Sequence, residues 1–297
     1  MYVDDLIVTR VQAEDIDHFK REMASCFKMS DLNMLFYYLG IEVRQGKEHI
    51  SLGQCAYAEK LLERGGMVDC KSCATPIEEW LKISKHSTAV KVDVTRYRSI
   101  INRLRYLTHT RSDIAFVAGY VSRFIEDPRE DHWMVVKSLL RYVKGSLDQA
   151  IIFCKRGGKG GLRLMVLSEA PSKTEEGELE LTVFSDADMA GDIDGRWSTS
   201  GVLIFLGAAP IAWQSLKQKI MVLLTCEAEY VTAAMTTCQA IWLRRLLGEL
   251  TGKEAHPRAL MVDNQPAITL TKNPVLHDRS TRIGIKFHFL QDCIDGG

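Results

Sequence analysis

Three acidic residues are placed where their carboxylates could do chemistry together. Asp186 comes just after the predicted strand Leu181-Thr182-Val183-Phe184, and Asp263 follows the apolar residues 259–262. Glu229 lies near the start of a long helical pattern. Carboxylates at strand ends and helix starts can converge, and their oxygens are the ligands that hard divalent cations prefer. The three residues are therefore candidate ligands of a divalent metal.

A second acidic pair, Asp4 and Asp5, stands in the segment Tyr2-Val3-Asp4-Asp5. It has the same apolar-then-acidic pattern, but only three residues precede it. The pair is a second candidate metal site, for which the chain supplies no preceding strand.

Composition excludes several classes of protein. Hydrophobic residues make up 46% of the 297 residues, which is enough for a buried core and excludes a disordered chain. The 38 basic and 38 acidic residues cancel, so any nucleic-acid site must be a local basic patch. The cysteines show no disulfide framework, and no signal peptide or membrane-spanning run is found. We therefore expect an intracellular protein, cytoplasmic or nuclear.

Residues 1–90 have a mixed pattern. Apolar spacing predicts helices over 14–27 and 57–64, and aromatic and β-branched residues predict a hairpin over 35–52 around Gly46. A pattern of this size is typical of part of a domain.

Residues 91–154 are predicted to be a helical region, with helices over 96–111, 112–126 and 130–144. One helix, over 96–111, has Arg96 and Arg103 along one edge of its apolar stripe and Arg98 and Arg105 along the other. These arginines have two interpretations. Their stems cover the edges of the core on a solvated helix, or their guanidinium groups bind the phosphates of a nucleic acid.

The glycine-rich, charged residues 155–179 predict a linker. Residues 180–297 then read as three strands, a helix, a strand and a helix. This order predicts an α/β (α+β) fold in which a mixed sheet is covered by helices.

These segments resemble, in order, the C-terminal part of the Pol polyprotein of copia-type LTR retrotransposons. Tyr2-Val3-Asp4-Asp5 resembles the catalytic hairpin of the reverse transcriptase, and residues 39–43, 70–76, 106–114 and 140–145 resemble segments downstream of it. The ribonuclease H domain of the family is resembled by Ser185-Asp186-Ala187-Asp188, Ser198-Thr199-Ser200-Gly201, Glu227-Ala228-Glu229-Tyr230, Asp263-Asn264-Gln265 and Lys272-Asn273-Pro274.

The resemblance implies a remnant of the polymerase palm over 1–90, a helical thumb or connection over 91–154 and a ribonuclease H-like domain over 180–297. It implies that Asp186, Glu229 and Asp263 are the catalytic, metal-binding residues of the ribonuclease H site. Glu229 fits the family's helix start better than Glu227 does. The implied cofactor is Mg²⁺ or Mn²⁺, and the implied partner is an RNA–DNA hybrid or a template-primer.

Two departures from the family limit the expected activity. A palm strand that carries another metal-binding Asp has no counterpart here, so we expect Asp4 and Asp5 to be an inactive polymerase remnant. The fourth ribonuclease H acid is expected beyond residue 297. Two functions stay open: a polyprotein fragment with residual or lost ribonuclease H activity, and a non-catalytic nucleic-acid-binding or interaction module derived from such a fragment.

Overall fold

The computed structural model describes residues 6–8, 13–154, 181–252 and 257–262. The predictions at Asp4, Asp5 and Asp263, and the linker predicted over 155–179, lie outside these residues. None of the helices in the described ranges is long and apolar enough to cross a membrane.

The first sheet is antiparallel and has the strand order β1-β2-β3-β4. Leu39 and Gly40 both have positive φ, 48° and 84°, and join β1 to β2 in a two-residue hairpin turn. Gly66, with φ 67°, ends the helix that follows β3. The elements are α1 (Ala13–Cys26), β1 (Tyr37–Tyr38), β2 (Ile41–Gln45), β3 (His49–Gly53), α2 (Cys55–Gly65) and β4 (Ala150–Cys154).

Strand β4 corrects the prediction of residues 91–154 as a purely helical region, because it lies after the last predicted helix. Its five residues pair with β3, in the register Leu52↔Ile151. The segment is short and rich in β-branched and aromatic residues, which favour a strand once a partner is in place. The first sheet therefore draws residues from both the predicted palm remnant and the predicted helical region.

Helices fill the chain between β3 and β4. The side chain of Asp93 accepts a hydrogen bond of 2.8 Å from the backbone N–H of Thr95 and so caps the first of them. The helices are α3 (Val94–Leu107), α4 (Ala115–Val121) and α5 (Glu130–Lys144), and 3₁₀ turns at Ser112–Ile114 and Ser122–Phe124 flank α4.

One hydrophobic core joins α2 to α3, α4 and α5. Leu61 of α2, Leu104 of α3 and Leu139 of α5 are completely buried in it. The predicted boundary near residue 90 lies inside the stretch of chain that builds this core.

A largely buried network of polar side chains surrounds Arg111. The Arg111 side chain is 4% exposed and forms a two-pronged ion pair with Asp113, with its shortest contact, Nη2 to Oδ2, at 2.7 Å. Arg111 also donates to the carbonyl oxygen of Ser146 at 2.8 Å, and the Tyr142 hydroxyl donates to Asp113 at 2.8 Å. The network ties the turn after α3 to the end of α5.

The second sheet is mixed, with the order β7-β6-β5-β8. Its first three strands are antiparallel, and β8 runs parallel to β5. The elements are β5 (Leu181–Ala187), β6 (Thr199–Leu206), β7 (Ala209–Lys217), α6 (Thr225–Thr251) and β8 (Pro257–Val262). Helix α6 packs on β5, β6 and β8. This sheet and its helix confirm a mixed fold of helices and strands.

The helical part and the second sheet are in direct contact. Helix α4 packs on β7, and a Cβ atom added at Gly119 would lie only 3.4 Å from the carbonyl oxygen of Ser215. The indole N–H of Trp213 donates to the carbonyl oxygen of Thr108 at 2.8 Å. These contacts fix β7 against α3 and α4.

Candidate functional site

Asp186 is the penultimate residue of β5, and it is exposed at the end of a strand that is otherwise largely buried. It pairs with Gly201 of β6, which adds no side chain beside it. The carboxylate is therefore free of crowding from the neighbouring strand and open to a ligand.

Glu229 lies in the second turn of α6 and is 5% exposed. Its Oε1 accepts a hydrogen bond of 3.1 Å from the backbone N–H of Ala187, the residue after Asp186. Glu227 faces the other way, because its Oε2 accepts the N–H of Leu223 at 2.9 Å at the start of the helix. The structure thus places Glu229 beside the end of β5 and uses Glu227 as a helix-capping residue.

Asp188, two residues beyond Asp186, is held by the first residue of β6. Its backbone N–H donates to the carbonyl oxygen of Thr199 at 3.1 Å, and its Oδ1 accepts the Thr199 N–H. Burial raises the pKa of the Asp188 carboxyl, and the charge of Asp186 adds to this, whereas the Thr199 hydrogen bonds and Arg123 lower it. A carboxyl whose pKa is raised by burial beside a second carboxyl is typical of functional sites.

A buried polar network fixes the start of α6 on the sheet. The Nε2 of Gln218 donates to the carbonyl oxygen of Ala228 at 2.9 Å and to the hydroxyl of Ser200 at 3.1 Å. The hydroxyls of Ser200 and Thr232 are 2.6 Å apart. Because Ala228 precedes Glu229, this network sets the position of the Glu229 side chain.

The parallel strand β8 ends at the same edge of the sheet. Its last residue, Val262, pairs with Ser185, the neighbour of Asp186. Asp263 is the next residue in the chain and lies outside the described residues. Within the described residues, no group of three His, Cys, Asp or Glu side chains is arranged to hold a metal ion. The structure therefore places the Glu229 carboxylate beside the backbone of the residue after Asp186, and the metal-binding roles of Asp186, Glu229 and Asp263 stay predictions.

The four arginines of α3 lie in two different surroundings. Arg96 stacks over the ring of Trp133 at 5.1 Å. Arg103 lies beside Tyr57. Burial raises the pKa of Tyr57 above its ordinary value, and Arg103 offsets part of that rise. Arg96, Arg98 and Arg105 are all exposed, and Arg105 lines a cleft between α3, α4 and β7. Arg96 and Arg103 thus each lie against an aromatic side chain, and the nucleic-acid role of all four arginines stays a prediction.

Sequence reasoning missed Arg123, which connects the helical part to the carboxylates. Its Nη2 donates to the hydroxyl of Thr199 at 2.9 Å, and Thr199 binds Asp188. The segment Ser198-Thr199-Ser200-Gly201 resembles a segment of the ribonuclease H domain, but that resemblance assigns no function to Thr199. Nothing in the local sequence links Arg123 to that segment.

Comparisons with known proteins agree with the motifs. A family model described as reverse transcriptase (RNA-dependent DNA polymerase) matches residues 1–79. The chain is 34% identical, over 100% of its length and 19% of the relative's, to the retrovirus-related Pol polyprotein from transposon RE2 of Arabidopsis thaliana. It is also 34% identical, over 99% of its length and 21% of the relative's, to the Pol polyprotein from transposon TNT 1-94 of Nicotiana tabacum.

A shorter relative, an uncharacterized mitochondrial protein of Arabidopsis thaliana, is 31% identical over 82% of this chain and 92% of its own length. No solved structure matches the chain. The chain spans about one fifth of the length of the two Pol polyproteins. Its similarity to them runs over essentially all of its length, and the chain belongs to the copia-type retrotransposon Pol polyproteins.

Proposed function

We propose that residues 180–297 form a ribonuclease H-like domain that hydrolyses the RNA strand of an RNA–DNA hybrid with Mg²⁺ or Mn²⁺. In this proposal residues 1–90 belong to the reverse-transcriptase palm and residues 91–154 to a thumb or connection. Asp186, Glu229 and Asp263 are the catalytic and metal-binding residues. Asp4 and Asp5 are a polymerase remnant.

The observation that carries the proposal is the hydrogen bond from Ala187 N–H to Glu229 Oε1. It joins the second turn of α6 to the end of β5, so that the Glu229 carboxylate lies beside the backbone of the residue that follows Asp186. Strand β8 ends next to that strand end, and its following residue is acidic. The meeting of these elements supports a shared site rather than three unrelated surface acids.

The residues present fit a hard divalent cation. Asp186 is exposed and Glu229 is buried, so one carboxylate is open to a ligand and the other is already fixed by the fold. Oxygen ligands of this kind suit Mg²⁺ and Mn²⁺. Bound metal would supply an activated water and stabilise the leaving oxygen of the cleaved phosphodiester.

The test is cleavage of an RNA–DNA hybrid with a labelled RNA strand in the presence of Mg²⁺ or Mn²⁺. We expect Asp186→Asn and Glu229→Gln each to abolish cleavage. Glu227→Gln is the matched control, because it changes the same type of residue two positions away and should leave most of the cleavage intact. A parent chain that does not cleave, or an Asp186→Asn variant that cleaves like the parent, would overturn the proposal.

A second candidate function is binding of nucleic acid without catalysis. The observation that favours it is the placement of Arg98 and Arg105 on the exposed side of α3, where their charge is available to a partner. Binding of the hybrid without cleavage, lost on addition of salt, is the result that selects this candidate.

A further inference from the structure

A cleft lies between α3, α4 and the outer face of β7. Its volume is about 630 Å³, and Gln239 of α6 also lines it. Its walls are held together by the Trp213–Thr108 hydrogen bond and by the close approach of Gly119 to Ser215. The cleft is therefore a fixed feature of the fold rather than a gap between loose parts.

The ionisable side chains that line the cleft are all of the basic type. They are Arg105 and His109 on the side of α3, Arg123 after α4, and Lys217 at the end of β7; no Asp or Glu is among the described lining residues. Lys217 is paired with Asp192 at 2.5 Å, so its charge is largely neutralised. Arg123 binds the neutral Thr199 hydroxyl and stacks over Tyr120, and Arg105 is exposed. Two guanidinium groups thus give the cleft a net positive charge.

The cleft runs toward the carboxylates. Lys217, at its end, pairs with Thr199 in the sheet, and Thr199 binds both Arg123 and Asp188. Ser200, the next residue of β6, pairs with Ala187, which binds Glu229. A ligand that extends beyond Lys217 would therefore lie along the edge of the sheet at which β5 ends and Asp186 is exposed.

We propose that this cleft binds the phosphodiester backbone of a nucleic-acid strand through Arg105 and Arg123 and leads it to Asp186. The part of this proposal in which the nucleic-acid strand leads to Asp186 rests on the proposed nuclease function. The binding of the strand in the cleft does not. A chain of phosphates is the ligand that matches guanidinium groups spread along a groove, since each donates to anionic oxygens. Half-buried Trp213 in the lining offers an apolar surface for a sugar or base.

The test measures binding without metal, so that no cleavage takes place. Fluorescence anisotropy in EDTA compares a labelled RNA–DNA hybrid, the RNA strand alone and the DNA strand alone. We expect Arg105→Ala and Arg123→Ala each to lower the affinity about tenfold and to reduce the slope of log K against log salt by about one phosphate contact. Similar losses for all three ligands are expected, because the contacts are to phosphates.

Two further variants distinguish a specific effect in the cleft from a general loss of charge or of folding. Gln214→Glu places a negative charge in the cleft at almost unchanged size, and we expect it to weaken binding by at least as much while the circular dichroism spectrum stays that of the parent. Arg64→Ala removes an exposed arginine of α2 outside the cleft lining and is the matched control. A parent chain that binds none of the ligands, or cleft variants that bind like Arg64→Ala, would overturn the proposal. Intact binding with no cleavage in metal would instead count only against the nuclease function.

Discussion

Replacing Arg111 by methionine tests how far the ion pair with Asp113 supports the helical core. The two side chains are 4% and 11% exposed, so the change leaves a nearly buried carboxylate that keeps only the Tyr142 hydroxyl among the donors described above. Removing one partner of a buried ion pair costs about 3–5 kcal/mol. The methionine fills much of the space of the arginine stem, so the effect comes mainly from the charge and the lost hydrogen bonds.

The loss is large compared with the roughly 5–15 kcal/mol by which domains are stable. It should lower the midpoint of thermal unfolding by about 6–20 °C, measured by circular dichroism together with urea unfolding. Arg98→Met, on an exposed position of α3, should change the free energy of unfolding by no more than about 0.5 kcal/mol.

The double variant Arg111→Met with Asp113→Asn removes the stranded charge and should recover a substantial part of the loss. The reasoning would be refuted by a single variant as stable as the parent. It would also be refuted by a double variant that has lost the sum of the two single effects.

Three further predictions concern other parts of the fold. Burial raises the pKa of the Tyr97 hydroxyl above its ordinary value of 10.0. The stability that the neutral Tyr97 contributes is therefore present below pH 10.0 and is lost as the pH rises above that value. Tyr97→Phe should lose less stability than the parent between about pH 10 and 12, measured by urea unfolding. Burial raises the pKa of Asp194, but hydrogen bonds from Lys85 N–H and the Ser84 hydroxyl lower it more, to below 3.8. That contribution is present above pH 3.8 and is lost as the pH falls, so Asp194→Asn should reduce the acid dependence of stability in a pH titration of thermal unfolding. Gln218→Ala should destabilise the chain by about 1–3 kcal/mol and reduce hybrid cleavage more than hybrid binding, because it frees the start of α6.

The helices and most strands could be predicted from the sequence because their signals are local. Apolar spacing marks α3 and α5, and Gly66 marks the end of α2. Strand β4 could not be predicted, because five apolar residues become a strand only when β3, far away in the sequence, pairs with them. The sequence also does not show that α2, which precedes the predicted boundary at residue 90, shares its core with α3 and α5.

The candidate site could be predicted in its residue types but not in its contacts. The helix-start pattern favours Glu229 over Glu227. The two acids have different hydrogen-bond partners in the structure, and the catalytic role of Glu229 stays a prediction. The contact between Arg123 and Thr199 joins two regions that the sequence analysis treated as separate domains. Such a contact depends on how the regions pack, and no local pattern records it.

Helix α4 covers part of β7, and this contact limits where the chain can be cut into fragments. Strand β7 is the outer strand of its sheet as described, and the outer edge of a sheet carries backbone groups able to pair with another molecule. Helix α4, which packs on β7, belongs to the other half of the chain. A fragment that begins at residue 181 would lack α4 and would expose the part of β7 that α4 contacts, and it is expected to self-associate at concentrations at which the intact chain stays dispersed.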